Sequence, residues 1–143
     1  MAVMHRDPTL PEVDRPETAQ FWRGCRERQL SLPRCRSCGR YHWYPLPTCP
    51  YCQGTDLEWA PVSGRATLFA WTEVRYPFVR ELADRLPLLV ALVTPEEAPE
   101  IRLVTNLVGC AEPDLRVGMP VAVVFEDINE TVTMPMFQPR DIV

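Results

Sequence analysis

Two short stretches decide how this chain folds: Cys-Arg-Ser-Cys-Gly at residues 35–39 and Cys-Pro-Tyr-Cys-Gln-Gly at residues 49–54. In each, two residues separate two cysteines, a spacing that lets the backbone turn so that both sulfurs face one point. Four thiolates spaced in this way are typical of a tetrahedral metal site, with each sulfur about 2.3 Å from the metal. The sequence therefore predicts one metal ion held by Cys35, Cys38, Cys49 and Cys52.

Two disulfides are the main alternative explanation for these cysteines. Disulfides persist in oxidising compartments, and residues 1–10 contain no apolar run of the kind that a secretory signal requires. We therefore expect a metal site and a cytoplasmic protein. Zinc is the default metal, but rubredoxin-like sites hold iron with the same four ligands, and the spacing does not separate the two metals.

The composition narrows the possible functions. The chain has 143 residues, of which 46% are hydrophobic, and its net charge is −4. That length suits one domain, or one small domain with a metal-stapled appendage. No stretch approaches the roughly eighteen apolar residues of a membrane span, so we expect no membrane insertion. All 15 basic residues are arginine, which excludes catalysis through a lysine Schiff base.

The first part of the chain predicts a tail followed by a short helix over residues 15–28. Asp14 with Glu17 three residues later resembles a capping box, which would start this helix. Phe21 and Trp22 lie on one helical face at the spacing of an apolar stripe. We expect this face to pack against something, either the rest of the chain or a partner.

The remainder of the chain predicts a metal-bearing ribbon and then a β domain. The ribbon should contain a strand at residues 29–33 and a strand-like aromatic run at residues 41–44, with too little core to fold without metal. Five further strands are predicted, at residues 65–75, 88–93, 101–108, 121–125 and 131–137. Five strands in roughly eighty residues with little helix fit a small Greek-key barrel such as an OB-fold. Pro135 predicts an edge or terminal position for the last strand.

We accordingly predict a mainly β protein in three parts. These are an N-terminal tail and helix at residues 1–28, a zinc ribbon at residues 29–58, and an OB-fold barrel at residues 59–143.

The sequence offers no catalytic set. The two histidines are His5, in the tail, and His42, among the ribbon aromatics. Cys25 and Cys110 are left over from the metal site, and buried apolar packing is the usual role of such thiols. A zinc ion with four protein ligands has no open position for substrate and should be structural. We therefore predict no catalytic residues and no independent enzyme activity.

Binding of single-stranded nucleic acid is a separate hypothesis, because zinc ribbons and OB barrels both support it. Trp43, Tyr44, Phe69 and Trp71 could stack on bases. The acidic residues outnumber the basic ones 19 to 15, however, and this balance weighs against a broad surface for phosphates.

The order of several motifs resembles one known family. The resemblance runs over about residues 17–140 and rests on Phe21-Trp22, Leu30, Cys35-x-x-Cys38-Gly39, Tyr44-Pro45, Cys49-x-x-Cys52, Gly64-x-x-Thr67, Pro87, Leu103 to Cys110, and Val117 to Val121. The family is that of acyl-CoA-associated OB-fold proteins with a rubredoxin-like zinc ribbon, known as domain of unknown function 35. The chain departs from the family pattern at two positions: Pro47 is offset where the family often has a Pro-Pro pair, and Gly54 is displaced by one residue.

The resemblance implies a non-catalytic subunit that binds and stabilises a thiolase-fold acyl-CoA enzyme, such as a ketothiolase, an acyltransferase or an aldolase acting on CoA thioesters. It also implies a barrel that, in some assemblies, helps to bind the acyl-CoA. The alternative partner is a hot-dog-fold enoyl-CoA hydratase. With this implication, the apolar segments around Phe21 and Trp22 and around Tyr76 and Phe78 become the predicted partner interface, the alternative being that they pack on the barrel.

Overall fold

The computed structural model of this chain describes residue 7 and residues 9–141. Residues 1–6 and 8 of the predicted N-terminal tail, including His5, lie outside the described residues. Within the described part, no helix is long and apolar enough to cross a membrane. The elements, in chain order, are α1 (Ala19–Arg26), β1 (Ser31–Cys35), β2 (Leu57–Pro61), β3 (Arg65–Val74), β4 (Leu88–Pro95), β5 (Leu103–Leu107), β6 (Pro120–Asp127) and β7 (Thr133–Pro139), with 3₁₀ turns at Arg80–Arg85 and Glu112–Asp114.

Helix α1 is shorter than the predicted helix over residues 15–28. The N-cap is Thr18, without a side-chain cap, so the capping box predicted at Asp14 and Glu17 is wrong, because the helix begins after both residues. At the other end Arg28 has a φ of 63°, and the amide of Gln29 donates to the carbonyl of Gly24 over 2.8 Å. This left-handed cap ends the helix and turns the chain into β1.

The ribbon contains one antiparallel pair, β1 with β2, in which Leu32 lies opposite Ala60 and Cys35 opposite Leu57. The first strand therefore starts two residues later than the predicted strand at residues 29–33. The aromatic run at residues 41–44 forms only an isolated bridge, between Tyr41 and Arg34. The prediction of a strand there is wrong, because pairing on this edge of β1 stops at Tyr41 and residues 43 and 44 lie in a bend.

The other five strands form a closed barrel in the order β3-β4-β5-β7-β6. Neighbouring strands are antiparallel except β5 and β7, which are parallel at Leu107 and Phe137. This arrangement confirms the predicted five-stranded OB-fold barrel preceded by a helix and a zinc ribbon. Leu68, Val93 and Val121, each at most 1% exposed, fill its interior.

The last strand occupies the seam of the barrel rather than an open edge. Pro135 lies opposite Phe125 in the ladder with β6. Its carbonyl oxygen accepts a bond from the Thr105 hydroxyl of β5 over 3.4 Å. Since the missing amide of Pro135 would point to the same side as this carbonyl, the proline interrupts the short parallel pairing and leaves the ladder with β6 intact.

Helix, ribbon and barrel meet through both aromatic and polar contacts. The Phe21 ring lies 5.0 Å from the Trp43 ring and 6.4 Å from the Trp59 ring. The Arg28 guanidinium donates two bonds to the Asp127 carboxylate, over 2.8 and 2.6 Å. These contacts place α1 against both the ribbon and the barrel. The boundaries at residues 28 and 58 stay a prediction.

Candidate metal centre and docking surfaces

The four cysteines of the two Cys-x-x-Cys pairs converge on one point at the tip of the ribbon. Their sulfur atoms all lie within 4.8 Å of one another. The Cys35 and Cys52 sulfurs are 3.6 Å apart, as are those of Cys38 and Cys49. Four thiolates around one zinc require sulfur separations of about 3.8 Å, given zinc–sulfur bonds of about 2.3 Å. The donor set and its spacing therefore fit a single metal ion with four thiolate ligands.

Two backbone turns aim the sulfurs. Gly39 follows the first pair with a φ of 76°, and Gln53 follows the second pair with a φ of 62°. The glycine of the second turn comes one residue later, and its amide donates to the Cys52 sulfur over 3.4 Å. The second turn therefore reaches the same geometry with a non-glycine residue in the left-handed conformation.

Backbone amides also favour the thiolate form of the buried ligands. Donation from the Cys38 amide is the main cause of the lowered pKa of Cys35. Burial opposes ionisation of Cys49, but hydrogen bonds from the amides of Cys52 and Tyr51 and from the Cys38 and Cys52 thiols together lower the pKa of Cys49 to about 7. Thiolates that form readily are what a metal needs in its ligands.

The arginines beside the first pair have structural partners. Arg36 binds the carboxylates of Asp56 and Glu58, at 3.2 and 3.1 Å. The Arg34 guanidinium donates to the carbonyl of Gly39 over 3.0 Å. Arg36 thus connects the first cysteine turn to β2, and Arg34 stabilises that turn. Because Arg36 is paired with carboxylates, it offsets less of the negative charge of the thiolates.

The four residues predicted to face a partner divide into two groups. Tyr76 and Phe78, in the connection between β3 and β4, are 66% and 82% exposed, and their rings are 4.8 Å apart in an edge contact. Trp22 is half-buried against the core. Phe21 is only 6% exposed, so the structure places it in the chain's own core and it offers no surface to a partner.

A further exposed apolar segment was not part of the predicted partner interface. Tyr44 is 64% exposed and Leu46 is 47% exposed, in the loop that joins the two cysteine pairs. Sequence reasoning placed Tyr44 in a strand-like run and among the residues that could stack on bases, and it did not single out Leu46. The prolines at positions 45 and 47 were the sequence feature that could have indicated this exposure. They restrict the backbone of the loop and keep it out of regular secondary structure.

A cleft of about 610 Å³ lies at one end of the barrel, beneath the connection between β3 and β4. Its apolar lining comes from that connection and from the barrel strands, and includes Leu82, Leu89 and Met136. Its charged lining consists of three carboxylates, Asp7, Glu81 and Glu126, and one guanidinium, Arg85. The cleft suits an apolar group better than a phosphate.

The residues considered for catalysis do not come together. Burial raises the pKa of the Cys25 thiol to about 12. The pKa of Cys110, at the edge of the cleft, is also raised, by burial and then by the charge of Asp114. His42 is 3% exposed, and burial lowers its pKa. Both thiols are thus held in the protonated, unreactive form.

Family models match two adjacent parts of the chain. A model described as the rubredoxin-like zinc ribbon domain of ChsH2 matches residues 22–58, and one described as the C-terminal OB-fold domain of ChsH2 matches residues 59–126. Together they cover the ribbon and most of the barrel.

Three similar proteins carry informative descriptions. The solved structure described as "Ltp2-ChsH2(DUF35) aldolase" has a TM-score of 0.79 and 30% identity, over 90% of this chain and 98% of that one. A "DUF35 domain-containing scaffold protein" from Methanocaldococcus jannaschii is 28% identical over 76% of this chain and 77% of its own length. A "Probable enoyl-CoA hydratase alpha subunit" from Thermomonospora curvata is 31% identical over 90% of this chain, which spans only 39% of that relative.

Proposed function

Because this chain belongs to the DUF35 family of OB-fold proteins with a rubredoxin-like zinc ribbon, we propose that it is a non-catalytic accessory subunit of an acyl-CoA enzyme. The partner we propose is a thiolase-fold enzyme: a ketothiolase, an acyltransferase or an aldolase acting on CoA thioesters. The subunit binds this enzyme and stabilises it. The metal we propose is one structural zinc ion, with iron as the alternative.

The observation that carries this proposal is the exposed aromatic pair, Tyr76 and Phe78. Two rings that contact each other while remaining 66% and 82% exposed are costly to hydrate. Aromatic anchors of this kind commonly dominate protein interfaces. Trp22, half-buried on α1, is the other predicted contact that retains exposed surface.

The choice between the two enzyme classes rests on the solved structure. The chain that this protein resembles, at 30% identity and a TM-score of 0.79, is described as part of an "Ltp2-ChsH2(DUF35) aldolase". This likeness supports an aldolase-like, thiolase-fold partner. A hot-dog-fold hydratase stays the alternative, because a relative at 31% identity is described as a probable enoyl-CoA hydratase alpha subunit.

We also propose that the cleft at the barrel end helps to bind the acyl part of the CoA thioester. The apolar lining offers about the volume of a small ligand site. Its three carboxylates would repel the CoA phosphates, so only the acyl chain should enter. The cleft also adjoins the connection that carries Tyr76 and Phe78, so docking there would bring it close to the partner.

Co-expression with a thiolase-fold enzyme encoded beside this chain tests both parts of the proposal. A complex should elute as one species in size-exclusion chromatography, and the enzyme should lose activity or solubility without this chain. Phe78→Ala should weaken the complex by about 2 kcal/mol, roughly 30-fold. Val117→Ala is the matched control, because Val117 is 72% exposed in a turn outside both predicted contacts.

The same complex tests the cleft. Octanoyl-CoA should bind more tightly than CoA itself, and Leu82→Gln should remove this difference. A partner that is equally soluble and active alone, with no complex, would defeat the proposed function. A preference of the isolated chain for a single-stranded oligonucleotide would instead support the nucleic-acid hypothesis.

A further inference from the structure

A second groove, of about 390 Å³, lies between the ribbon and the segment that precedes α1. On one side it is lined by the loop between the two cysteine pairs, Pro45 to Pro47, and on the other by Pro16 and Glu17. Pro33, Leu57 and Trp59 complete its apolar surface. The groove is thus separate from the cleft at the barrel end and from the aromatic pair in the connection between β3 and β4.

The ribbon loop presents its apolar side chains in a preorganised form. Tyr44 and Leu46 are 64% and 47% exposed, and the Tyr44 ring packs 5.2 Å from the Trp43 ring. Two prolines, at positions 45 and 47, restrict the backbone. A partner that covers this loop therefore pays little conformational entropy for ordering it.

The charged side chains of the groove indicate which kind of group it prefers to bind. Glu17 and Glu58 are the charged lining residues. Glu58 accepts a bond from Arg36 over 3.1 Å and is compensated. Among the residues that the structure describes, Glu17 has no basic group within ion-pairing distance. The groove thus combines apolar walls with one uncompensated carboxylate, which favours a basic group and disfavours a phosphate.

We propose that this groove binds an apolar segment of the partner enzyme that carries an arginine or lysine beside its apolar residues. The inference rests on the proposed function and adds a second docking surface to it. The loop that supplies Tyr44 and Leu46 is anchored at both ends by the cysteine pairs. The metal therefore serves docking as well as folding, because it fixes both ends of the loop that lines one side of the groove.

The experiment uses the co-expressed complex and compares two residues of the same ribbon. Leu46→Ser should weaken the complex about tenfold. Tyr51→Ser is the control and should change the affinity less than twofold, since Tyr51 is similarly exposed, at 44%, but lies outside the groove. Glu17→Gln should also weaken the complex and reduce the dependence of its affinity on NaCl concentration. Metal content and thermal unfolding of each variant verify that the ribbon is intact.

The outcomes separate this inference from the proposed function. If Phe78→Ala weakens the complex but Leu46→Ser and Glu17→Gln leave its affinity unchanged, docking at the groove would be wrong. The proposed function as an accessory subunit would still stand. The inference would also be wrong if the chain associates with itself and Leu46→Ser abolishes this self-association. The occupant of the groove would then be a second copy of the chain. Failure of any complex to form would overturn both proposals.

Discussion

The ribbon and the barrel are two β structures of one chain that are held together in different ways. The barrel closes five strands around an apolar interior that includes Leu68, Val93 and Val121. The ribbon has one pair of strands, and two of its most deeply buried side chains are the ligands Cys35 and Cys49. Burial of apolar surface stabilises the barrel, whereas the ribbon depends on bonds to a metal.

This difference also affects how each region offers a surface to a partner. The barrel presents its aromatic pair on a long connection between two strands, so the pair depends on a loop supported by a strong core. The ribbon presents Tyr44 and Leu46 on the loop between its ligands, so that surface depends on the metal. Loss of the metal should therefore remove one proposed docking surface and leave the other.

The largest expected effect comes from removing a metal ligand. Cys49→Ser should unfold the ribbon and leave the barrel folded, because binding of a structural zinc supplies about 10–16 kcal/mol in small metal-dependent domains. In an NMR spectrum, the indole signals of Trp43 and Trp59 should shift to unfolded positions. Trp71 lies on β3, and its indole donates a hydrogen bond to the Glu112 carboxylate. The indole signal of Trp71 should therefore stay at its folded position.

Metal analysis of the same samples provides the control. The unaltered chain should contain about one metal ion per molecule, and Cys110→Ser should retain it. Zinc should give a colourless protein and iron a red one. Metal-free protein with all four indole signals in place would show that the ribbon does not need a metal.

A smaller effect is expected from the core of the barrel. Leu68 is 1% exposed, and Leu68→Ala should lower the free energy of unfolding by about 2–5 kcal/mol, through lost apolar burial and a cavity. Chemical denaturation followed by far-UV circular dichroism measures this loss. Phe69→Ala is the matched control, because the neighbouring Phe69 is 47% exposed and its truncation leaves no cavity. Equal losses for the two variants would contradict an interior role for Leu68.

The smallest effect concerns the ion pair between the cap of α1 and the barrel. Bonding to Arg28, and then to the Thr133 hydroxyl, lowers the pKa of Asp127 to about 2. A carboxyl with a depressed folded-state pKa stabilises the protein above its unfolded pKa of about 3.9, and this contribution is lost as the pH falls through about 2. Asp127→Asn should therefore lower the Tm at pH 6.

The pH dependence provides the control for this pair. The difference in Tm between Asp127→Asn and the unaltered chain should shrink between pH 4 and pH 2. Asp84→Asn, in the 3₁₀ turn between β3 and β4, should leave the Tm unchanged at every pH. A difference that stays constant down to pH 2 would mean that the aspartate acts through something other than its charge.

The metal ligands and the barrel strands could be predicted from patterns of residues that lie close together in the sequence. The cysteine spacing identified four residues that the structure brings together, and alternation of apolar residues located the five barrel strands to within a few residues. The helix was predicted too long, because Asp14 and Glu17 have the composition of a capping box but lie in the turns that precede Thr18. Composition alone does not reveal where backbone hydrogen bonds begin.

Exposure was predicted less well than element type. Phe21 and Trp22 are adjacent and both aromatic, yet only Trp22 keeps exposed surface, because Phe21 packs between the rings of the ribbon. Tyr44 was placed in a strand-like run, yet it is exposed, as is Leu46 two residues later. Which side of an aromatic residue meets water depends on the neighbours that the fold supplies, and these are distant in sequence.

The sequence by itself determined the four thiolates, the barrel class and the absence of a recognisable catalytic motif, since each follows from residue types at short spacings. The tertiary structure decided which aromatic residues lie on the surface, how the barrel closes at Pro135, and that a groove lined by apolar residues and by Glu17 and Glu58 runs beside the ribbon. These features bring together residues that are far apart in sequence, such as Pro16 and Trp59 or Thr105 and Pro135. A local sequence pattern does not show that such residues are neighbours. Docking surfaces are made by such long-range packing, and for that reason they become visible only in the folded chain.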